Sequence, residues 1–214
     1  MKKKYIIFDF DGTLVNTNDI IIESWQATYE HYLGHKMDVD RIVETFGEVL
    51  NDTIARTIPD ADLIEVRTYY RDYQDTHCQD KVYAFEGVRE LLDELRRRGY
   101  CLGVATSRTA YSFKNYMDSL GLTGYIDEVV TVEDVSSHKP DPESIIAVLE
   151  KFGADPEDAL MIGDTKYDIG CANNAGVDSV LVGWSHSIDE DRMAEMGFIP
   201  TYRIDKPAEL LDLI

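Results

Sequence analysis

Five short apolar runs, each stopped by turn-forming or polar residues, constrain this chain more than any other feature. They are Lys4–Asp9, Cys101–Ala105, Ile126–Val132, Ala159–Ile162 and Ser179–Val182. Runs of this length bounded by such residues read as buried strands. Helical patterns precede the second run and fill the gaps between the last four. Gly87–Arg98 carries Val88, Leu91, Leu92 and Leu95 on one face, then a basic last turn and Gly99 as a stop. Thr109–Leu120 ends at Gly121, Pro142–Phe152 at Gly153, and Tyr167–Ala175 at Gly176. Strand and helix in repeated alternation predict an α/β fold, a parallel sheet covered by helices on both faces.

One segment breaks the alternation. From about Asn18 to about Lys81 no strand pattern is present, while Ile20, Ile21, Trp25, Thr28, Tyr29 and Tyr32 share a helical face. Ile42, Val43 and Phe46 continue the pattern, followed by Leu50, Ile54 and Ile58, then Leu63, Val66, Tyr69, Tyr70 and Tyr73. The expected organisation is a core of residues 1–17 and 82–214 with a helical-bundle cap inserted at 18–81. Such an insertion would cover the carboxyl edge of the sheet, where open α/β proteins bind ligands. The tyrosines read as packing within that unit.

Composition excludes several classes. The 214 residues carry 41 acidic against 21 basic side chains, a formal charge of −20. A nucleic-acid binder needs a cationic footprint, so none is expected. No run approaches the ~18 apolar residues of a membrane span, and Tyr5–Phe8 is too short for a signal-peptide core, which predicts a cytoplasmic protein. Cys78, Cys101 and Cys171 are odd in number and widely spaced, which argues against a disulfide framework. His31 and His35 lack an HExxH setting and read as a solvated helix end rather than a zinc site.

Chemistry concentrates where the strand-like runs end. Asp9 and Asp11 close the first run, two apart, with Gly12 permitting a turn and Thr13 adding a hydroxyl. Two carboxylates at one strand end repel unless a cation or a proton intervenes. The second run ends in Thr106-Ser107-Arg108, the third leads to Lys139 just before a proline-bounded helix start, and the fourth ends in Asp164 with Asp168 four residues on. Each alone has a plain structural explanation, as a cap, a surface cation or a first-turn carboxylate. Four in this order, each after a strand-like run, make coincidence improbable.

The strings FDFDGTLVNT, ATSR, SHKPDP and IGDTKYD resemble the four ordered motifs of the haloacid dehalogenase-like superfamily, and the resemblance spans the chain. The insertion after the first motif is similar to that of members with a helical cap. LVNTNDIIIESWQATYEHY, TFGEVLNDTI, YAFEGVRELLDELRRRGYCLGVATSR and EDVSSHKPDPESI resemble phosphoglycolate phosphatases and related bacterial pyrophosphatases. The resemblance implies a Rossmann-like core with Asp9 as the nucleophile and Asp11 as general acid and base. Thr106 and Lys139 would hold the phosphoryl oxygens, with Gly12, Thr13, Ser107 and Arg108 around them. Mg²⁺ would be held by Asp9, the Asp11 carbonyl and Asp164, with Asp168 orienting that shell or Lys139.

Asp11 also discriminates within the family: dehalogenases lack this second aspartate, so hydrolysis of a small phosphorylated metabolite by a monomer or homodimer is expected. Alternatives within the same chemistry are a pyrophosphatase, a nucleotide phosphatase or a β-phosphoglucomutase-like mutase. A receiver-like phospho-acceptor switch fits poorly with Asp11 and the insertion. Arg108 reads either as a substrate-carboxylate ligand or as a solvated cation. Gly47 reads either as a close-approach point of the cap or as a helix stop, and Asn16, Thr45–Glu48 and Asn51 lie on the expected hinge and cap surface.

Overall fold

In the computed structural model, residues 3–77, 81–185 and 190–214 are described; Cys78 and the last residues before Lys81 lie outside them. The chain enters through β1 (Tyr5–Phe8) and β2 (Val15–Asn16), then passes through α1 (Asn18–Leu33), α2 (Val39–Val43), α3 (Leu50–Thr57) and α4 (Leu63–His77). It returns in β3 (Tyr83–Ala84), followed by α5 (Val88–Arg98), β4 (Cys101–Ala105), α6 (Ala110–Ser119), β5 (Glu128–Val130) and α7 (Glu143–Phe152). The remainder is β6 (Ala159–Gly163), α8 (Lys166–Ala175), β7 (Asp178–Val182), α9 (Glu190–Glu195), β8 (Tyr202–Ile204) and α10 (Leu210–Leu213).

Six strands form one sheet in the order β5-β4-β1-β6-β7-β8, every neighbouring pair parallel. Strand alternation divides the side chains of β1 between two cores. Ile6 and Phe8 pack with Val88, Leu92, Leu95 and Phe113 of α5 and α6, while Ile7 packs with Ile145, Val148 and Cys171 of α7 and α8. Cys101 is half-buried in β4. Phe8 pairs with Val104 of β4 on one side and Ile162 of β6 on the other. The chain order reverses about β1, so the loops after β1, β4 and β6 flank the crevice where such sheets take ligands.

Helices α1–α4 bury a core of their own, built on Trp25, Tyr29, Ile42, Ile54, Val66 and Tyr70. Trp25 lies 5.2 Å from Tyr29 and 4.9 Å from Tyr70, centroid to centroid. Tyr69 packs on His31 and Tyr73 on His77, so these rings serve packing within the unit. The antiparallel ribbon of β2 and β3, with Val15 opposite Ala84, joins this helical unit to the sheet. Among the described residues no helix is long and apolar enough to cross a membrane.

Besides the β2–β3 ribbon, which the sequence reading did not contain, two details differ from it. The run at Ile126–Val132 is a strand only over Glu128–Val130, because Asp127 turns its carboxylate to the Leu102 N–H at 2.9 Å and to Arg96. Edge strand β8 was not expected at all. Its three residues are too few for a periodic signal, and two of them are exposed.

Candidate active site

Asp9 is the first residue beyond β1, and its N–H bonds the Ile162 carbonyl at 2.8 Å, which fixes the backbone at the sheet's carboxyl edge. Its side chain is buried, and Lys139 donates to Oδ1 at 2.8 Å. The same ammonium donates to the Ala105 carbonyl at 2.7 Å and to Asp168 Oδ1 at 2.6 Å. All three of its protons are therefore used, and the side chain holds one position. Oδ2 of Asp9 takes no hydrogen bond from any described residue, and Asp9 lines the adjoining cavity.

Asp168 is committed elsewhere. Its Oδ2 accepts from the Thr165 N–H at 3.0 Å and the Thr165 hydroxyl at 2.6 Å, a reciprocal cap of α8. The residue thus aims Lys139 at Asp9 while starting the helix. Asp164 accepts from Ser185 Oγ at 2.6 Å and from Thr13 Oγ1 at 3.3 Å. Trp184 Nε1 donates to the Thr13 carbonyl at 3.1 Å, which ties the turn after β1 to the loop after β7. Gly12 has φ +74°, and a Cβ there would sit 2.1 Å from Asp164 Oδ2. Only glycine lets the turn pass beneath that carboxylate.

Asp11 points to the other side. Arg108 forks its carboxylate, with Nη2 to Oδ1 at 2.7 Å and Nε to Oδ2 at 2.7 Å, and Thr17 donates to Oδ1 at 2.6 Å. The guanidinium also donates to Ser112 Oγ at 2.7 Å and lies 4.6 Å from the Tyr116 ring centre. Arg108 is therefore not a solvated cation. Burial opposes its charge, but the Asp11 carboxylate more than offsets that and holds its pKa above the ordinary value.

Electrostatics at the centre test whether a cation fits. Burial pushes the Asp9 carboxyl well above its ordinary range; Lys139 opposes this, while Asp168, Asp164 and Asp11 add to it. Burial works against the Lys139 ammonium too, yet Asp168 and Asp9 keep its pKa above normal, so it stays charged. Oxygens of Asp9, Asp164 and Asp168 all lie within 4.8 Å of one another. With all three carboxylates ionised, one ammonium leaves two negative charges uncompensated, and that excess is part of what raises the Asp9 pKa. An oxygen-only donor set with that excess suits a hard divalent cation such as Mg²⁺, and Asp9 and Asp164 offer the oxygens that Lys139 does not occupy.

Asp9, Asp11, Lys139, Asp164 and Asp168 all open on one cavity of about 890 Å³ between the sheet edge and α1–α4. Ser107 and Arg108 line it as well. Thr106 stands at the end of β4, buried, its hydroxyl accepting from the Arg108 N–H at 3.2 Å. Thr106, Gly12 and Thr13 are not among the groups facing the cavity.

The helical unit is docked onto this edge. Ser107 Oγ donates to the Gly47 carbonyl at 3.2 Å, Lys166 Nζ to the Glu44 carbonyl at 3.2 Å, and Tyr167 OH to Glu48 Oε1 at 3.0 Å. Gly47 has φ +84°, and a Cβ there would meet Thr165 Oγ1 and Tyr167 Cδ2 at 2.8 Å. It is a close-approach point, not merely a helix stop.

The family model of the haloacid dehalogenase-like hydrolases matches residues 6–182. The chain belongs to that family. This haloacid dehalogenase-like hydrolase is similar to other proteins over its full length. It is 34% identical over 214 residues to the pyrophosphatase PpaX of Bacillus mycoides, covering 98% of that protein. It is 33% identical to PpaX of Bacillus cereus strain AH820, covering 97%. Among solved structures, a provisionally named phosphoglycolate phosphatase from Lactobacillus plantarum superposes with TM-score 0.88 at 25% identity, all of both chains being covered. A haloacid dehalogenase-like family hydrolase from Streptococcus pneumoniae gives TM-score 0.84 at 25% identity, over 99% of this chain and 98% of the other.

Sequence reasoning missed several residues that surround the centre of this hydrolase. Ser185 and Trp184 lie beyond the last motif in a loop with no pattern. Glu48 was expected only on the hinge and cap surface; it joins Tyr167, Arg56 and Thr53. Arg67 and Arg71, which line the cavity, stand one helical turn apart, and that spacing was visible.

Proposed function

We propose that the chain is a divalent-cation-dependent phosphatase acting on a small phosphomonoester, with phosphoglycolate as the leading substrate. The observation that carries this reading is the division of labour at one sheet edge. One buried carboxylate, Asp9, is fixed by Lys139 with an oxygen to spare, and a second, Asp11, lies two residues on in a different hydrogen-bond setting. Pyrophosphate is the second reading, supported by the full-length similarity to proteins named PpaX.

In this reading Asp9 Oδ2 attacks phosphorus, a P–O bond to Asp9 forms, and the bond to the leaving oxygen breaks. Asp11 gives a proton to that oxygen, then takes one from the water that attacks phosphorus and releases Asp9. Arg108 occupies both oxygens of Asp11 in the resting site, so the incoming anion must draw the guanidinium toward itself. Thr106 keeps its hydroxyl proton for a phosphoryl oxygen, since Oγ1 already accepts from the Arg108 N–H. Lys139 neutralises charge on Asp9 and on the transferring group. Asp9, Asp164 and the Asp11 carbonyl would hold Mg²⁺, which supplies the remaining charge neutralisation for an anionic substrate.

Phosphate release from phosphoglycolate, pyrophosphate, nucleoside monophosphates and hexose phosphates, with Mg²⁺ and then with excess chelator, tests the proposal. Release with Mg²⁺, lost on chelation and restored by added metal, is expected. Release from no member of the panel would refute it, and isomerised hexose phosphate without free phosphate would put mutase chemistry in its place.

The helical unit acts in this reading as a cap that closes over the substrate and excludes bulk water. Gly47→Ala forces an unfavourable φ, a cost of about 1–2 kcal/mol, and drives a methyl into Thr165 and Tyr167. The strained φ should lower the melting temperature by roughly 2–8 °C, and the clash, carried only by the docked state, should cut kcat/KM roughly 5–30-fold at temperatures where the variant is folded. Unchanged kinetics would show that the docked arrangement is not used in turnover.

A further inference from the structure

On the cap side of the cavity, α4 presents Arg67 and Arg71, half-buried and four residues apart. Neither makes a hydrogen bond or ion pair with any described residue, whereas all four arginines of α5 find acceptors. Acidic partners are not lacking in a chain of charge −20, and Asp72 and Asp75 line the same cavity. Like charges at i,i+4 repel, a spacing with no benefit to the helix itself. Burial lowers the pKa of Arg71, with Arg67 the strongest charge acting in the same direction and Arg108 a further one, against Glu133 and Asp75.

We propose that Arg67 and Arg71 form a subsite for a second anionic group, so that the substrate carries a carboxylate or a second phosphate beyond the phosphoryl group transferred at Asp9. The inference rests on the phosphatase reading and narrows its substrate class. Guanidinium groups match the planar carboxylate and the phosphate alike, through paired N–H donors. Two such groups facing a shared space take an anion in place of the hydrogen-bonded counter-ion that the described residues do not provide. Since they ride on the cap, the second anion would also draw the cap onto the sheet edge.

Steady-state kinetics of the wild-type, Arg71→Ala, Arg67→Ala and Arg71→Lys proteins test this with three substrates. Phosphoglycolate and pyrophosphate carry the second anion as carboxylate and phosphate respectively, and p-nitrophenyl phosphate carries none. The alanine variants should raise KM about 10- to 100-fold for whichever substrate with two anionic groups the wild type uses. Turnover of p-nitrophenyl phosphate should stay within about threefold, which also shows that the variants fold, and Arg71→Lys should recover part of the loss. Equal effects on all three substrates, or none, would overturn the subsite. A wild type that hydrolyses p-nitrophenyl phosphate but neither substrate with a second anionic group would overturn it while leaving the phosphatase reading intact. If the wild type turns over nothing, calorimetric titration with pyrophosphate in Mg²⁺ decides: weaker binding to Arg71→Ala supports the subsite alone, and equal binding overturns it.

Discussion

Lys139→Met should cost about 3–5 kcal/mol of stability, the penalty for leaving buried charge without its partner. For a chain of this size that lowers the melting temperature by roughly 6–20 °C. The ammonium is the shared donor to Asp9, Ala105 and Asp168, and methionine fills its space without replacing any of those bonds. The sign of the pH dependence follows from Asp9. Burial already raises its pKa and Lys139 is what opposes that, so the variant moves the group further upward. A raised carboxyl pKa favours folding at low pH and loses that contribution as pH rises through the folded value. The stability gap between variant and wild type should therefore widen with rising pH in metal-free buffer. Thermal melts from pH 5 to 8 measure it, and a gap under about 1 kcal/mol with no pH dependence would mean Lys139 is a surface cation in all but position.

Asp11→Asn should reduce steady turnover by about 10²- to 10⁴-fold, the usual range for a lost general acid–base. The loss should depend on the leaving group. A p-nitrophenolate needs little protonation to depart, so the first half of the reaction survives while attack by water does not. A burst of p-nitrophenol close to one equivalent per active site, followed by slow release of phosphate, is the expected trace. Equal slowing of both phases without a burst would remove Asp11 from the water-activating step. Arg108 loses its partner in the same variant, so Asp11→Asn combined with Arg108→Ala shows whether the freed guanidinium contributes.

The parallel sheet was legible because apolar run and glycine-stopped helix alternate so regularly from Gly87 to Val182. The edge strand at Tyr202 was not, since three residues with two exposed leave no period to read. Asp9, Asp11, Lys139, Asp164 and Asp168 could be singled out because each follows a strand-like run, and parallel strands bring such ends together. What a linear reading could not give is direction. Nothing in the string ATSR tells that Arg108 turns back on Asp11 across 97 positions. Asp168 was read as orienting either the metal shell or Lys139; its oxygens are divided between Lys139 and the cap of α8, which favours the second.

The helical insertion was visible by its period, but its contacts with the sheet edge were not. The Gly47 carbonyl accepts from Ser107, the Glu44 main-chain oxygen from Lys166 and the Glu48 carboxylate from the Tyr167 phenol, while Gly47 passes close to Thr165. Such contacts leave no compositional trace. The acidity of the whole chain carried little information about the site. Four of the 41 acidic residues stand at the sheet edge, and in the proposed reaction a divalent cation offsets their charge around Lys139 before an anion binds. Phosphate should bind the metal-free protein poorly for the same reason.

The central claim is that the phosphoryl group passes through Asp9. Acid-quenching Asp11→Asn protein during the p-nitrophenyl phosphate burst, in Mg²⁺, and mapping its peptides by mass spectrometry tests this directly. One phosphoryl group on the peptide containing Asp9, absent when Asp9→Asn is added to the same protein, is the predicted result. A burst with no phosphorylated peptide, or with the phosphoryl group on another residue, would contradict the account.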